Sequence, residues 1–216
     1  KHGVRTVMNL LRPEDRMSLV VFNGSAKTRY GLDYMTPENK AVLDATLKEL
    51  RACGRTNIWD AIHEGLEGLN IGVSGRRSVL MLLTDGMPNV RPSKGELYML
   101  RQYISKHRDF NFQINTFGFG YKLDSSLLCN LAREGHGTFT FIPNACVVGT
   151  VFVHSLSNAV ATLAQKCEIR VEPLHDDVVL QGVSTGRDGS TTIDLSPLQF
   201  GQTRSTVVRV KPLEHY

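Results

Sequence analysis

From Ser78 the chain runs Val79-Leu80-Met81-Leu82-Leu83 before it reaches Thr84-Asp85-Gly86, with Gly75 closing the other side. A run this apolar between turn residues has no face to offer to water. It fits a strand covered on both sides, as in a parallel sheet held between two layers of helices. Asp85 then lies where the strand leaves the sheet, the edge at which open α/β sheets bind ligands. Before this strand, Gly54-Arg55-Thr56-Asn57-Ile58-Trp59-Asp60 opens a helix. A hydroxyl from Thr56 and a carboxylate from Asp85, carried on adjacent loops, are hard oxygen donors suited to magnesium, manganese or calcium. Two side chains do not complete a coordination sphere, and each has a plain structural reading as well. Thr56 and Asn57 are N-cap residue types, Asn57-x-x-Asp60 approximates a capping box, and Asp85-Gly86 is an ordinary turn dipeptide.

The segments around this strand alternate in type. Val4, Val7, Met8 and Leu11 recur at helical spacing until Pro13. Met17 to Phe22 reads as a strand, Asn23-Gly24-Ser25 as a turn and Ala26 to Tyr30 as its antiparallel partner. Thr36-Pro37 starts a helix with Val42, Leu43, Leu47 and Leu50 as its apolar stripe, and Ile58, Ile62, Leu66 and Leu69 mark the next. After a loop from Met87 to Pro92, a helix is predicted around Glu96 to Ser105 and a strand at Phe112 to Phe117. Leu127, Leu128, Leu131 and Ala132 make another helix, and Gly137 to Ile142 another strand. A long helix from Ala145 to Gln165 follows, with Val148, Phe152, Leu156, Ala159, Val160 and Leu163 on one face. Connections too long for hairpins between strands and helices are the pattern of βαβ units and a doubly wound, mostly parallel sheet flanked by helices.

From Cys167 the pattern changes to short alternating stretches, Glu168 to Glu172, Thr191 to Leu195 and Ser205 to Lys211, with Arg187-Asp188-Gly189 as a hairpin turn. We therefore expect an α/β domain over residues 1–166 and an all-β segment over 167–216, part of a β-sandwich. So few strands enclose too little area to stand alone, and no Gly, Pro or Ser linker separates the segment from the preceding helix, so it is expected to dock on a neighbouring surface.

Composition narrows the function. The 216 residues are 41% hydrophobic, and 25 Lys and Arg against 21 Asp and Glu leave a net charge of +4. That surplus is dispersed, which does not describe a nucleic-acid or membrane-surface binder. No stretch approaches the roughly 20 apolar residues of a membrane span. The four cysteines, Cys53, Cys129, Cys146 and Cys167, are scattered without metal-ligand spacing. Cys129 and Cys146 lie in apolar stretches and are expected to be buried, and sparse cysteine fits a reducing, cytoplasmic setting.

Catalytic patterns do not assemble. Gly118-Phe119-Gly120 begins like a dinucleotide fingerprint, but Leu123 stands where its third glycine would be. There is no Walker-type phosphate loop, Ser74-Gly75-Arg76 is not a nucleophile elbow, and no two histidines stand four apart to hold zinc. His63 and His154 fall on helices whose apolar faces are made by other residues. The chain reads as a binding module and not as an enzyme.

Taken in order, Arg16 to Asn23, Gly54-Arg55-Thr56-Asn57-Ile58, Leu82-Leu83-Thr84-Asp85-Gly86, Asn115 to Gly120 and Gly137 to Ile142 resemble the blocks of a von Willebrand factor type A domain, over residues 1–166. The resemblance implies a Rossmann-like fold with a metal-ion-dependent adhesion site built from three loops: an Asp-x-Ser-x-Ser motif, a threonine and an aspartate. Thr56 matches the threonine and Asp85 the aspartate. The first motif should follow the opening strand. Lys1 already lies in what reads as the next helix, so that strand is expected to be missing here and the motif to lie upstream of Lys1. The ion implied is Mg2+ or Mn2+, with Ca2+ admissible. The partner implied is a protein with an exposed carboxylate, which takes the ion's open position. The β-rich segment is similar to the region after this domain in some intracellular eukaryotic proteins, some with a RING or U-box. That resemblance implies a second reading, the substrate-recruiting part of a ubiquitin ligase, and a metal-free structural domain is the third.

Overall fold

Val7 and Met8 are buried on the helix that their spacing predicts, α1, which spans His2–Leu10. The structure is a computed structural model describing residues 1–51, 54–71, 76–164, 167–172, 178–181, 190–195 and 198–212. The chain divides into two compact units, Lys1–Leu156 and Ser157–Tyr216.

In the first unit, β1 (Arg16–Phe22) turns at Asn23 into β2 (Ala26–Tyr34) and pairs with it antiparallel. The turn closes on itself: Asn23 N–H donates to the Ser25 carbonyl at 3.0 Å and Asn23 Oδ1 accepts from Ser25 N–H at 3.1 Å. Strand β2 runs four residues beyond the expected Tyr30, because the ladder carries on to Tyr34 opposite Arg16. Helix α2 (Pro37–Glu49) starts as predicted, with Pro37 in its first turn and the Thr36 side chain accepting from Asn39 N–H at 3.3 Å. Its stripe is narrower than expected. Leu43 and Leu47 are buried, whereas Val42 is 55% exposed, since one step along a helix turns a side chain about 100° away from its neighbour's face.

Helix α3 (Ile58–Asn70) buries Ile58, Ile62 and Leu66 completely, and the apolar run becomes β3 (Ser78–Thr84). Helix α4 (Glu96–Lys106), β4 (Phe112–Phe119), α5 (Ser125–Glu134) and β5 (Phe139–Ile142) follow. Strands β3, β4 and β5 form a parallel sheet with Thr84 opposite Gly118 and Gly118 opposite Phe141. Both faces are covered, as the run from Ser78 to Leu83 requires. Leu80 and Leu82 point to α3, α4 and α5, while Met81 and Leu83 pack with Val7 of α1 and Phe152. This is the Rossmann-like arrangement anticipated. Among the described residues β1 bonds only to β2 and β3 only to β4. Helix α3 nonetheless packs on both sheets, its cluster holding Phe22 of β1 beside Leu80 and Leu82 of β3.

Two buried polar side chains hold this unit in register. Asn115 Oδ1 accepts from Thr138 N–H at 3.0 Å while its amide donates to Ser155 Oγ at 3.3 Å, and Thr116 Oγ1 donates to the Leu128 carbonyl at 2.9 Å.

The final helix is shorter than predicted. A 3-10 turn (Ala145–Val147) leads into α6 (Val148–Ala161), which buries Val148, Phe152 and Ala159. Thr162–Ala164 is a short strand, β6, antiparallel to β10 (Leu198–Gln199), and Val160 and Leu163 are exposed. A β-branched Thr162 and the pull of a partner strand outweigh the helical periodicity there. The second unit also pairs β7 (Glu168–Val171) with β9 (Thr191–Asp194), two predicted strands, and β8 (Val178–Gln181) with β11 (Arg209–Pro212). Residues Ser205 to Val208, expected to begin that last strand, lie outside it. The turn at Arg187-Asp188-Gly189 lies outside the described residues, as does Cys53. Cys146, expected to be buried, is exposed, and Cys129 is half-buried.

Candidate functional site

The carboxyl ends of β3, β4 and β5 form one edge of the first unit, and the amino end of α3 meets it there. Asn57 caps α3 by accepting from Asp60 N–H at 3.1 Å, and Thr56 precedes the cap. The capping box is only half formed. Asp60 does not return to Asn57; its carboxylate takes Ala26 N–H at the start of β2, and Asn57 N–H goes to the Asn23 carbonyl at 2.8 Å. Asp60 is a methylene shorter than the Glu of a capping box, and the hairpin offers it a donor. The Asn57 amide also donates to the Gly24 carbonyl at 3.2 Å, so the loop before α3 is fastened to the β1–β2 turn.

On its other side the same loop is fastened to the segment after β3. Thr56 N–H donates to Asn89 Oδ1 at 2.8 Å, and the Thr56 carbonyl accepts from Asn89 N–H at 3.0 Å and Val90 N–H at 3.2 Å. This seats the Thr56 hydroxyl against Gly86. A Cβ on Gly86 would stand 3.3 Å from Thr56 Oγ1, so a side chain there would crowd the hydroxyl. Gly86 N–H in turn points to Thr84 Oγ1 at 3.4 Å. Asp85, between them, is exposed. The Thr56 hydroxyl thus stands beside the residue that follows Asp85, at the positive end of a 13-residue helix.

Arg91 extends the fastening. Its guanidinium meets Asp124, the N-cap of α5, at 3.1 Å and Glu96, at the start of α4, at 3.6 Å. Glu96 is only 2% exposed and its Oε1 has no hydrogen-bond partner among the described residues, so Arg91 supplies the compensating charge. Sequence reading left Asn89 and Arg91 as plain loop residues and gave Asn23 no part in the site beyond its turn. Nothing in the local pattern sets them apart from other loop residues, and their partners lie more than 30 positions away in most of these contacts.

The donor chemistry fits a hard divalent cation, a neutral hydroxyl beside a carboxylate with no soft ligand. It is an incomplete set. Among the described residues no group of three or more His, Cys, Asp or Glu converges as a metal site.

The sequence model of the von Willebrand factor type A domain matches residues 1–151. The chain belongs to this family. Type A domains mediate protein–protein interactions. Inter-alpha-trypsin inhibitor heavy chain H3 from Homo sapiens is 28% identical over 144 residues, 63% of this chain, and heavy chain H2 from Homo sapiens is 28% identical over 143 residues, 62% of this chain. The matched region spans only about 16% of the length of the H3 chain and 15% of the H2 chain. Among solved structures, a von Willebrand factor type A protein from Catenulispora acidiphila superposes with a TM-score of 0.75 at 14% identity, covering 94% of this chain and 50% of that one. Proximal thread matrix protein 1 from the mussel byssus, described with a zinc-occupied MIDAS motif, has a TM-score of 0.50 at 22% identity over 72% of this chain and 39% of that one. No helix among the described residues of this type A chain is long and apolar enough to cross a membrane.

Proposed function

We propose that this type A domain binds a protein partner through a divalent cation held at the sheet edge by Thr56 and Asp85. The cation is Mg2+ or Mn2+, with Ca2+ admissible, and the remaining oxygen ligands come from an Asp-x-Ser-x-Ser segment upstream of Lys1. The observation that carries this reading is the Thr56 hydroxyl seated against Gly86, one residue from the Asp85 carboxylate. The zinc-occupied MIDAS motif of proximal thread matrix protein 1 supports it by analogy of fold. When bound, the cation would offer a positive centre to a partner's carboxylate. Thr56 adds no charge of its own, so the only charge that this chain's two ligands set against the ion is that of Asp85. The chain's own part is to hold the two loops still: Asn89 fixes the Thr56 backbone, and the α3 amino end favours negative charge at the same place.

Calorimetric titration of MgCl2 or MnCl2 into a chain extended upstream of Lys1 tests this. Binding is expected, weakened at least tenfold by Asp85→Ala and by Thr56→Ala. Equal affinity in wild type and Asp85→Ala removes Asp85 from the site.

A further inference from the structure

The edge that carries Thr56 and Asp85 also carries large apolar side chains that the core does not absorb. Tyr121 is 83% exposed and Phe141 39% exposed, and their rings pack on each other at 5.4 Å with a 60° tilt. Tyr121 follows Gly120, whose φ of 78° suits a residue without Cβ and whose N–H donates to the Ile142 carbonyl at 3.0 Å. The turn that presents Tyr121 is therefore tied to the end of β5. In the sheet, Thr84 pairs with Gly118 and Gly118 with Phe141. The aromatic pair thus stands about 10 Å from the end of β3, two strand spacings. Met87, 57% exposed, lies on the Asp85 loop itself, and the Arg91–Asp124 ion pair joins that loop to the one bearing Tyr121.

Apart from the exposed Asp85, which the cation would engage, the charge left without an ion pair on this rim is basic among the described residues. Arg55, next to Thr56, and Lys122, next to Tyr121, have no carboxylate within ion-pair distance among the described residues, whereas Asp124 and Glu96 are both engaged by Arg91. A docked segment that is acidic and apolar would answer both features, and aromatic side chains are the usual anchors of an interface.

We propose that Tyr121 and Phe141 anchor a large apolar side chain of the partner, two or three residues along an extended segment from the carboxylate that the cation takes. An extended chain advances about 3.3 Å per residue, so this spacing covers about 7–10 Å, the width of the rim. The proposal rests on the cation reading of Thr56 and Asp85 and adds to it the composition of the ligand.

The test uses the upstream-extended chain in MgCl2 and two synthetic peptides, Gly-Ser-Glu-Gly-Phe-Ser-Gly and the same sequence with Ser for Phe, with binding followed by NMR titration. The Phe peptide is expected to bind at least fivefold more tightly. Tyr121→Ser with Phe141→Ser should erase that advantage, and Tyr121→Ser alone should reduce it. Both sites are at least partly exposed, and thermal melts check that the variants stay folded. Asp85→Ala should weaken both peptides alike and leave their ratio unchanged. No advantage for the Phe peptide, or an advantage that survives the double substitution, overturns the anchor while Asp85 dependence keeps the cation reading. An advantage lost in the double variant, with the affinity of both peptides left unchanged by Asp85→Ala and by chelation, upholds the anchor and overturns the cation reading.

Discussion

Asn89 and Thr56 bind each other twice, the Asn89 side chain accepting the Thr56 amide at 2.8 Å and the Thr56 carbonyl accepting the Asn89 amide at 3.0 Å. The loop after β3 and the loop before α3 therefore move as one, and the hydroxyl of Thr56 keeps its place beside Gly86. Asn89→Ala removes one of the two bonds. A stability loss of about 1 kcal/mol is expected in chemical denaturation, with a severalfold loss of Mg2+ affinity in the upstream-extended chain. Asn89→Asp keeps the acceptor and should recover most of both. Unchanged metal affinity in Asn89→Ala would show that Thr56 needs no such support.

Arg91 and Glu96 form a second coupled pair. Arg91→Ala leaves a buried carboxylate without its cation, and a loss of about 1–3 kcal/mol is expected, tempered by the partial exposure of Arg91. Arg91→Ala combined with Glu96→Gln should cost less than the single Arg91 change. A double-mutant cycle by urea denaturation reads the coupling, and strict additivity would mean that Arg91 does not compensate Glu96.

Gly137 has no room for a side chain. A Cβ there would fall 2.0 Å from the Ile114 carbonyl oxygen, a backbone atom that cannot swing aside. Gly137→Ala should destabilise the first unit by about 1–3 kcal/mol or more through overpacking, seen as a lower thermal midpoint. A midpoint equal to wild type would show that β4 and the segment before β5 can part at no cost.

Asn115 is buried and serves Thr138 and Ser155 together. Asn115→Leu removes the acceptor of the Thr138 amide, and about 0.5–1.5 kcal/mol should be lost. Hydrogen exchange at Thr138 should quicken well beyond that of Leu128. Parallel changes at the two amides would point to global loosening instead.

Acid should part α1 from α2. Lys48 first, at 2.9 Å, and then Arg5, at 2.5 Å, hold the Asp44 carboxyl below its ordinary range. A lowered folded-state value means the stabilisation is fully present above the unfolded-state value and fades as pH falls through the folded one. Asp44→Asn, which resembles the protonated side chain, should lower stability slightly near neutral pH, match wild type in acid, and so flatten this part of the stability–pH curve. An unaltered acid limb would place the acid sensitivity elsewhere.

Sequence by itself determined the features set by neighbours along the chain. The run from Ser78 to Leu83 had to be covered on both faces, and it is, because no alternation gave it a wet side. Thr36-Pro37 and Asn57 had to open helices, because cap and φ restriction act within three residues. Thr56 and Asp85 were legible as hard donors at a sheet edge for the same reason: strand ends and helix starts are local signals. Only the tertiary structure decided that Val42 faces out while Leu43 faces in, since adjacent apolar residues compete for one face and packing chooses. It also turned Thr162–Ala164 from helix to strand, where a partner 34 or more residues later supplied the backbone bonds. Asp60 left the capping box for Ala26, and Asn89 and Arg91 became the fasteners of the candidate site, through bonds that join residues 33 or 34 apart, with Arg91–Glu96 the one short link. Hydrogen-bond partners so distant along the chain leave no periodicity to read; they exist only once the core has brought the loops to the same edge.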